Sequence, residues 1–448
     1  LKAIPSRPLG FRFCLSALLS LSLVVALSRN ASAEKTIMKG DNWELFTDGR
    51  VAGFLSYVHG DGPPIARAVL NPDGTVTTLD AIDGGGWSAQ TSNRTMTNQG
   101  TVDMMRVRSG FLGNQFNFGV RGKVTPWTTV TGYISIWAYI ESDARTKSFP
   151  NPADVRQGYA KLEGPWGSFL AGRTRTLFSR GATDINVLYA HKWGVGFPSS
   201  IDAKGPSQGM VGFGVLGSGF GAGLIYGTPV LGGLQLNVGV FDPVQLPGAF
   251  FRTDYARPEA ELTFERTFGR TGKVVLFVNG AYQNVYKDGA CMMTAATAAP
   301  CEQTAEGVGY GGRLELGFFH LGLAGHYGKG LGLSYALENS YAAFDPQGTL
   351  RLFDGYYAQS QFVFGRFDLF AGAGITRVFL TDFDKAAPPA GTLPASIIKY
   401  QMGVNAGVVF NFTPNVHFDL EYFRAEAAWW LGEKQILNTA AFGMTFNW

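Results

Sequence analysis

An all-β chain, closed into a transmembrane antiparallel barrel of about 16 strands, is the fold class that three features of this sequence predict. The first is composition. Charged residues make up 16%, well below the ~25% of soluble domains, while Gly accounts for 60 of 448 residues and aromatics for 14%. The second is apolar content that never runs on. Beyond residue 33 no uninterrupted apolar stretch approaches the ~18 residues of a spanning helix. The third is rhythm: segments of period-two alternation are joined in turn by very short turns and by long polar loops.

The N-terminus reads as a secretory signal peptide. Lys2, Arg7 and Arg12 form a basic region, Leu15 to Leu27 is apolar apart from serines, and Ala31-Ser32-Ala33 is a small-x-small cleavage site. Residues 1–33 are assigned to the signal and 34–448 to one barrel domain. Cys14 precedes the apolar run, which argues against a lipoprotein anchor. Four of the 37 basic residues leave with the signal and no acid does, so 33 basic residues face 34 acidic ones. That balance leaves no basic field for nucleic acid.

The remaining cysteines, Cys291 and Cys301, are even in number in an exported chain and predict one loop disulfide. Enzyme and cofactor signals are weak. Two G-x-G-x-x-G stretches, "GFGVLG" and "GVGYGG", lie outside any strand-to-helix unit. The five histidines show no metal spacing, and no G-x-S-x-G elbow occurs. The sequence therefore predicts no catalytic residue, no metal and no cofactor.

The strands follow in order. "RVAGFLSYV" (50–58) precedes a loop of some 45 residues. "MMRVRSGFLGNQFNFGVRGKV" (104–124) meets "TTVTGYISIWAYIE" at the tight turn "TPW". The first of this pair is long for one strand, and its parity slips near Gly113. A bulge accounts for the slip; a hidden turn would make 18 strands. "VRQGYAKLEG" and "GSFLAGRTRT" flank "PW". After the gap 177–212, "FGAGLIYG" and "GLQLNVGVF" flank "TPVLG", and "EAELTFERTF" and "KVVLFVNGAYQNVY" flank "GRTG". Three more hairpins follow: "VGYGGRLELGFF" with "LGLAGHYGKG", "GYYAQSQFVF" with "FDLFAGAGITRVF", and "IKYQMGVNAGVVFNF" with "VHFDLEYFRAEAAWW". The last strand is "AAFGMTFNW", with Phe442, Met444, Phe446 and Trp448 on one parity and small or polar residues on the other.

A charge facing lipid at mid-membrane costs about 2–4 kcal/mol. Arg106, Arg108, Arg156, Arg173 and Arg175 lie within strand patterns and are therefore expected to point into a lumen, where charged rings tune ion selectivity.

"RSGFLG", "RQGYAKLEG-PWGSFLAGR", "YGTPVLGGLQLNVGVFDP" and, most closely, the terminal "FGMTFNW" resemble the general porins of Gram-negative outer membranes. The match is widely spread but shallow. It implies a trimeric pore for small hydrophilic solutes in the outer membrane, in contact with its lipid. It also implies that the terminal aromatic strand, Phe442 to Trp448, is read by the barrel-insertion machinery. The resemblance places a third loop, 177–212, inside the barrel. Opposite it stands a basic wall onto which Arg50, Arg108 and Arg156 map. The family's strand-six arginine is replaced by an apolar residue near Phe220. The loop's acidic motif is not reproduced either: Asp184 and Asp202 are mixed with Arg180, Lys192 and Lys204. Together these imply a weak anion preference. The alternative is a sugar-selective channel with an aromatic track such as Trp137, Tyr139 and Trp193.

Overall fold

The computed structural model describes residues 34–64, 98–110, 112–138, 153–186, 209–244, 251–287, 301–337, 341–345, 348–386, 397–430 and 432–448, with short pieces at 68–70, 76–78 and 91–93. The signal segment, Tyr139, Lys192, Trp193, Asp202, Lys204 and Cys291 lie outside the described residues. Cys301 is disulfide-bonded.

Sixteen antiparallel strands form one sheet. β1 is Trp43–Asp61, and β2 comes in two segments, Thr101–Arg108 and Asn114–Thr125. Then come β3 (Thr128–Ala138), β4 (Ala153–Gly164), β5 (Gly167–Arg175), β6 (Phe220–Gly227) and β7 (Leu234–Phe241). β8 (Arg257–Phe268), β9 (Gly272–Lys287), β10 (Glu302–Leu316) and β11 (Phe319–Lys329) follow. The chain ends with β12 (Leu352–Phe364), β13 (Phe367–Phe379), β14 (Ile398–Asn411), β15 (Val416–Trp429) and β16 (Lys434–Asn447). Among the described residues two short α-helices, α1 (Arg180–Asp184) and α2 (Asp382–Lys385), sit in the connections. β16 returns to β1, with Arg50 opposite Asn447 and Gly60 opposite Leu437. The sheet is closed, which is what lipid demands of strands that would otherwise leave open edges.

Alternation builds the wall. On β16, Phe442, Met444 and Phe446 are exposed, while Thr439, Ala441 and Thr445 are buried. Short turns bind one end. Gly317 and Gly365 have φ of 63° and 58° in the tight turns after β10 and β12, a left-handed conformation that glycine adopts without penalty. The other end carries the long connections, except that only residues 430–433 join β15 to β16.

β2 resolves the ambiguity at Gly113. Both of its segments pair antiparallel with β1, with Phe54 opposite Arg108 and Arg50 opposite Gln115. Residues 51–53 of β1 therefore face 109–114 of β2. An odd excess reverses the parity without reversing the chain, so the bulge stands and the count stays at 16. Asn114 repairs the interrupted ladder, its Oδ1 accepting the Ala52 amide at 2.7 Å.

Trp448 and the segment Lys35–Lys39 share one column of the sheet. Trp448 and Gly49 exchange both backbone hydrogen bonds, each 3.1 Å. The short strand Lys35–Lys39 then takes over the same edge of β1, with Lys35 opposite Thr47. The Trp448 ring lies against Phe116 and Phe446, at centroid distances of 5.5 and 5.8 Å.

At the loop end, Arg351 forks onto Asp384, with Nε to Oδ2 at 2.7 Å and Nη2 to Oδ1 at 2.9 Å. Both side chains are buried. Thr381 caps α2 through the Asp384 amide and also donates to Asp345 at 2.8 Å. The clasp ties the connection before β12 to the one after β13. Arg351→Ala strands a buried carboxylate and is expected to cost about 3–5 kcal/mol. The check is the temperature at which the folded band is lost on a heat-modifiability gel; an unchanged temperature would show that the clasp does not limit stability.

Candidate functional site: the barrel interior

The connection between β5 and β6 folds onto one parity of the wall, which identifies that parity as the inner one. The Phe178 amide donates to Glu259 at 2.8 Å, and the Ser179 amide donates to Asn279 at 3.2 Å. Arg180 on α1 pairs with Glu261, its Nε 3.0 Å from Oε2. The Tyr357 hydroxyl donates to the Ala182 carbonyl at 2.7 Å. Further along, the Gly214 amide donates to Thr376 Oγ1 at 2.9 Å, and Phe213 meets Phe423 edge-on at 5.1 Å. The described parts of the loop thus grip β8, β9, β12, β13 and β15. Phe178, Ile185, Met210, Phe213 and Leu216 join the wall in one apolar cluster.

Close packing makes the seat. A Cβ at Gly374 would lie 2.1 Å from the Phe213 carbonyl oxygen, and one at Gly403 would lie 2.9 Å from the Phe213 side chain. Gly374→Val should therefore dislodge the second half of the loop, at an overpacking cost of about 1–3 kcal/mol. Larger and noisier current steps are expected in a planar bilayer. Native steps would mean that the loop tolerates the intrusion.

The sequence did not single out this seat. Its signal was available: Glu259 and Glu261 fall on the parity opposite Leu262 in "EAELTFERTF", two carboxylates on the inner face of one strand.

No protein-family model and no curated protein matches the sequence. Solved structures do match. The outer-membrane channel DcaP of Acinetobacter baumannii superposes with a TM-score of 0.62 at 14% identity, over 92% of this chain and 100% of that one. The anion-selective porin from Comamonas acidovorans gives 0.54 at 10% identity, over 91% and 100%. The trimer form of OmpT of Vibrio cholerae gives 0.51 at 12% identity, over 91% and 100%. The fold is that of the Gram-negative outer-membrane porins.

Within this barrel the arginines occupy several environments. Arg50 and Arg108 lie on the inner face but are only 5% and 1% exposed, so they do not stand in open water as a bare wall would. Asp419 acts electrostatically on Arg50. Arg106 shares the inner parity of β2 and donates to the Met105 carbonyl at 3.2 Å. Arg156 is the extra residue of a bulge, because Ser135 faces Gln157 while Ile136 faces Val155. Its guanidinium lies over Trp137 at 5.0 Å and Phe220 at 5.7 Å, and its Nε sits 2.6 Å from Asp154. The apolar residue near the strand-six position is thus a stacking surface for the arginine of strand four.

Two arginines differ from expectation. Arg173 shares the outward parity of Phe169, whereas its neighbour Thr174 bonds Gln157 on the inside. It lies near the loop-side end of β5, where a lipid-facing charge costs only about 0–1 kcal/mol. Arg175 grips the loop and does not line the wall. It bonds Asp184 at 2.7 Å, Ser218 at 3.3 Å and the Arg180 carbonyl at 3.3 Å. Asp184, expected to face the constriction, is thereby engaged at the end of α1.

Proposed function

We propose that the chain forms a water-filled pore in the outer membrane through which small hydrophilic solutes and ions diffuse passively. The observation that carries this reading is the inward loop, which narrows a closed barrel from one side while its outward face stays apolar. A mature domain of residues 34–448, released from a signal peptide and assembled as a homotrimer, belongs to the same proposal. The trimer form among the solved neighbours supports the assembly, and outer-membrane lipid and an insertion machinery that reads the last strand complete the expected partners.

A weak anion preference is part of the proposal. Arg50, Arg106, Arg108 and Arg156 cluster on β1, β2 and β4, and one solved neighbour is an anion-selective porin. The preference is weak because acids stand close by: Asp154 beside Arg156, and Asp419 near Arg50. Across a salt gradient, the reversal potential of the purified protein should lie on the anion side. It should shrink as ionic strength rises, since the Debye length falls from ~10 Å at 0.1 M to ~3 Å at 1 M. Neutralising Arg50, Arg108 and Arg156 together should move it toward cations. An unmoved potential would remove the selectivity claim and leave the pore.

A further inference from the structure

A second feature of the interior lies toward the short-turn end, away from the loop. Phe46, Gly119, Tyr133, Tyr159 and Gly172 face one another in register across β1 to β5. The glycines let the rings lie down. A Cβ at Gly119 would sit 2.1 Å from the Phe46 ring, and one at Gly172 would sit 2.9 Å from Tyr159 Cβ. Phe46 stacks on Tyr133 at 6.4 Å and 26°, and Tyr133 on Tyr159 at 5.3 Å and 29°. Arg121 covers Phe46 at 4.6 Å. Tyr133 and Tyr159 remain half-buried and belong to none of the hydrophobic clusters among the described residues. The result is an aromatic strip on an inner wall whose last two rings join no hydrophobic cluster among the described residues.

Its borders are polar. On one side lie Asp48, which accepts from Asn117 and from the Tyr133 hydroxyl (3.2 Å), and Gln157, which accepts from Thr174 at 3.1 Å. On the other side Lys161 pairs with Glu163 at 2.7 Å, and Arg121 pairs with Glu34 and Glu44, each at 2.9 Å. Each cation here already has a carboxylate, so an anion would find no surplus positive charge. Amides, hydroxyls and carboxylates beside flat rings suit a neutral ring with an apolar face and a hydroxylated edge.

We propose that Tyr133 and Tyr159 form a stacking subsite for a pyranose sugar, whose C–H face lies on the rings while its hydroxyls reach Asp48, Gln157 and Lys161. The subsite deepens the pore reading and rests on it.

The test is ion current through the full-length pore with maltose added, and with sorbitol and benzoate as controls. Sorbitol has hydroxyls but no ring face; benzoate has a ring but is an anion. Saturable block by maltose alone is expected. Loss of both rings in the Tyr133→Ala/Tyr159→Ala double variant should raise the half-blocking concentration about tenfold, the equivalent of ~1.4 kcal/mol. Tyr159→Phe, which keeps the ring, should stay near the native value. A heat-modifiability gel confirms that each variant is folded. Absence of block, block unchanged in the double variant, or block by benzoate in place of maltose would overturn the subsite. Absence of any conductance would overturn the pore reading instead; calorimetric titration of the folded barrel with maltose would then decide the subsite, with no saturable heat overturning it.

Discussion

Replacing 182–215 with a short Gly-Ser turn is expected to multiply the single-channel conductance while leaving a folded barrel. The described parts of the loop are held by side chains and backbone amides of their own, not by the ladder, so the excision breaks no pairing between the sixteen strands. Arg180 should be kept. Its partner Glu261 is buried, and leaving that carboxylate unpaired would add about 3–5 kcal/mol to the cost of the excision. The excision forfeits the burial of Ile185, Met210 and Phe213, roughly 1.5–3 kcal/mol for each large side chain. It exposes Phe423 and Tyr357 on the wall behind, which a sixteen-strand ladder can absorb. The quantities to record are step size in a planar bilayer and folded yield. Conductance at the native level in a folded variant would mean that the narrowest point lies elsewhere.

Changing Phe446 and Trp448 to Ser is expected to abolish insertion and leave an unfolded chain in the periplasm. Trp448 makes the last two hydrogen bonds of the closing seam with Gly49. Its ring, with Phe116 and Phe446, forms the aromatic contact at that corner. Phe446 faces outward with Met444 and Phe442, so serine there also sets a hydroxyl against lipid. An unclosed β16 would leave two rows of backbone groups unsatisfied in hydrocarbon, at several kcal/mol for each group. Surface proteolysis and fractionation would report the outcome, and normal insertion of the double variant would refute the role given to this strand.

The wall was legible because alternation has a period of two, and a closed sheet repeats it sixteen times. The slip at Gly113 could be seen but not resolved, since a bulge and a turn leave the same local signature. Only the pairing of both segments with one partner separates them. Arg173 was misplaced for a related reason. Counting parity within "GSFLAGRTR" from Phe169 puts it outside, but a rule that charges avoid lipid weighs a strand's end as heavily as its middle. The loop's location came from a resemblance and its grip did not. Glu259, Asn279, Tyr357 and Gly374 are far apart in the chain, and each looks locally like ordinary wall. The bulge that carries Arg156 escaped for the same reason: it is a property of two strands, not one.

The meeting of Trp448 and Lys35 along β1 has a consequence of its own. The edge of β1 stays paired past Trp448, because Gly49 bonds Trp448 and Thr47 faces Lys35. A gene rotated to start at a short turn would keep these strand pairings while moving Phe442–Trp448 away from the C-terminus, so it would separate that strand's place in the sheet from its place in the chain.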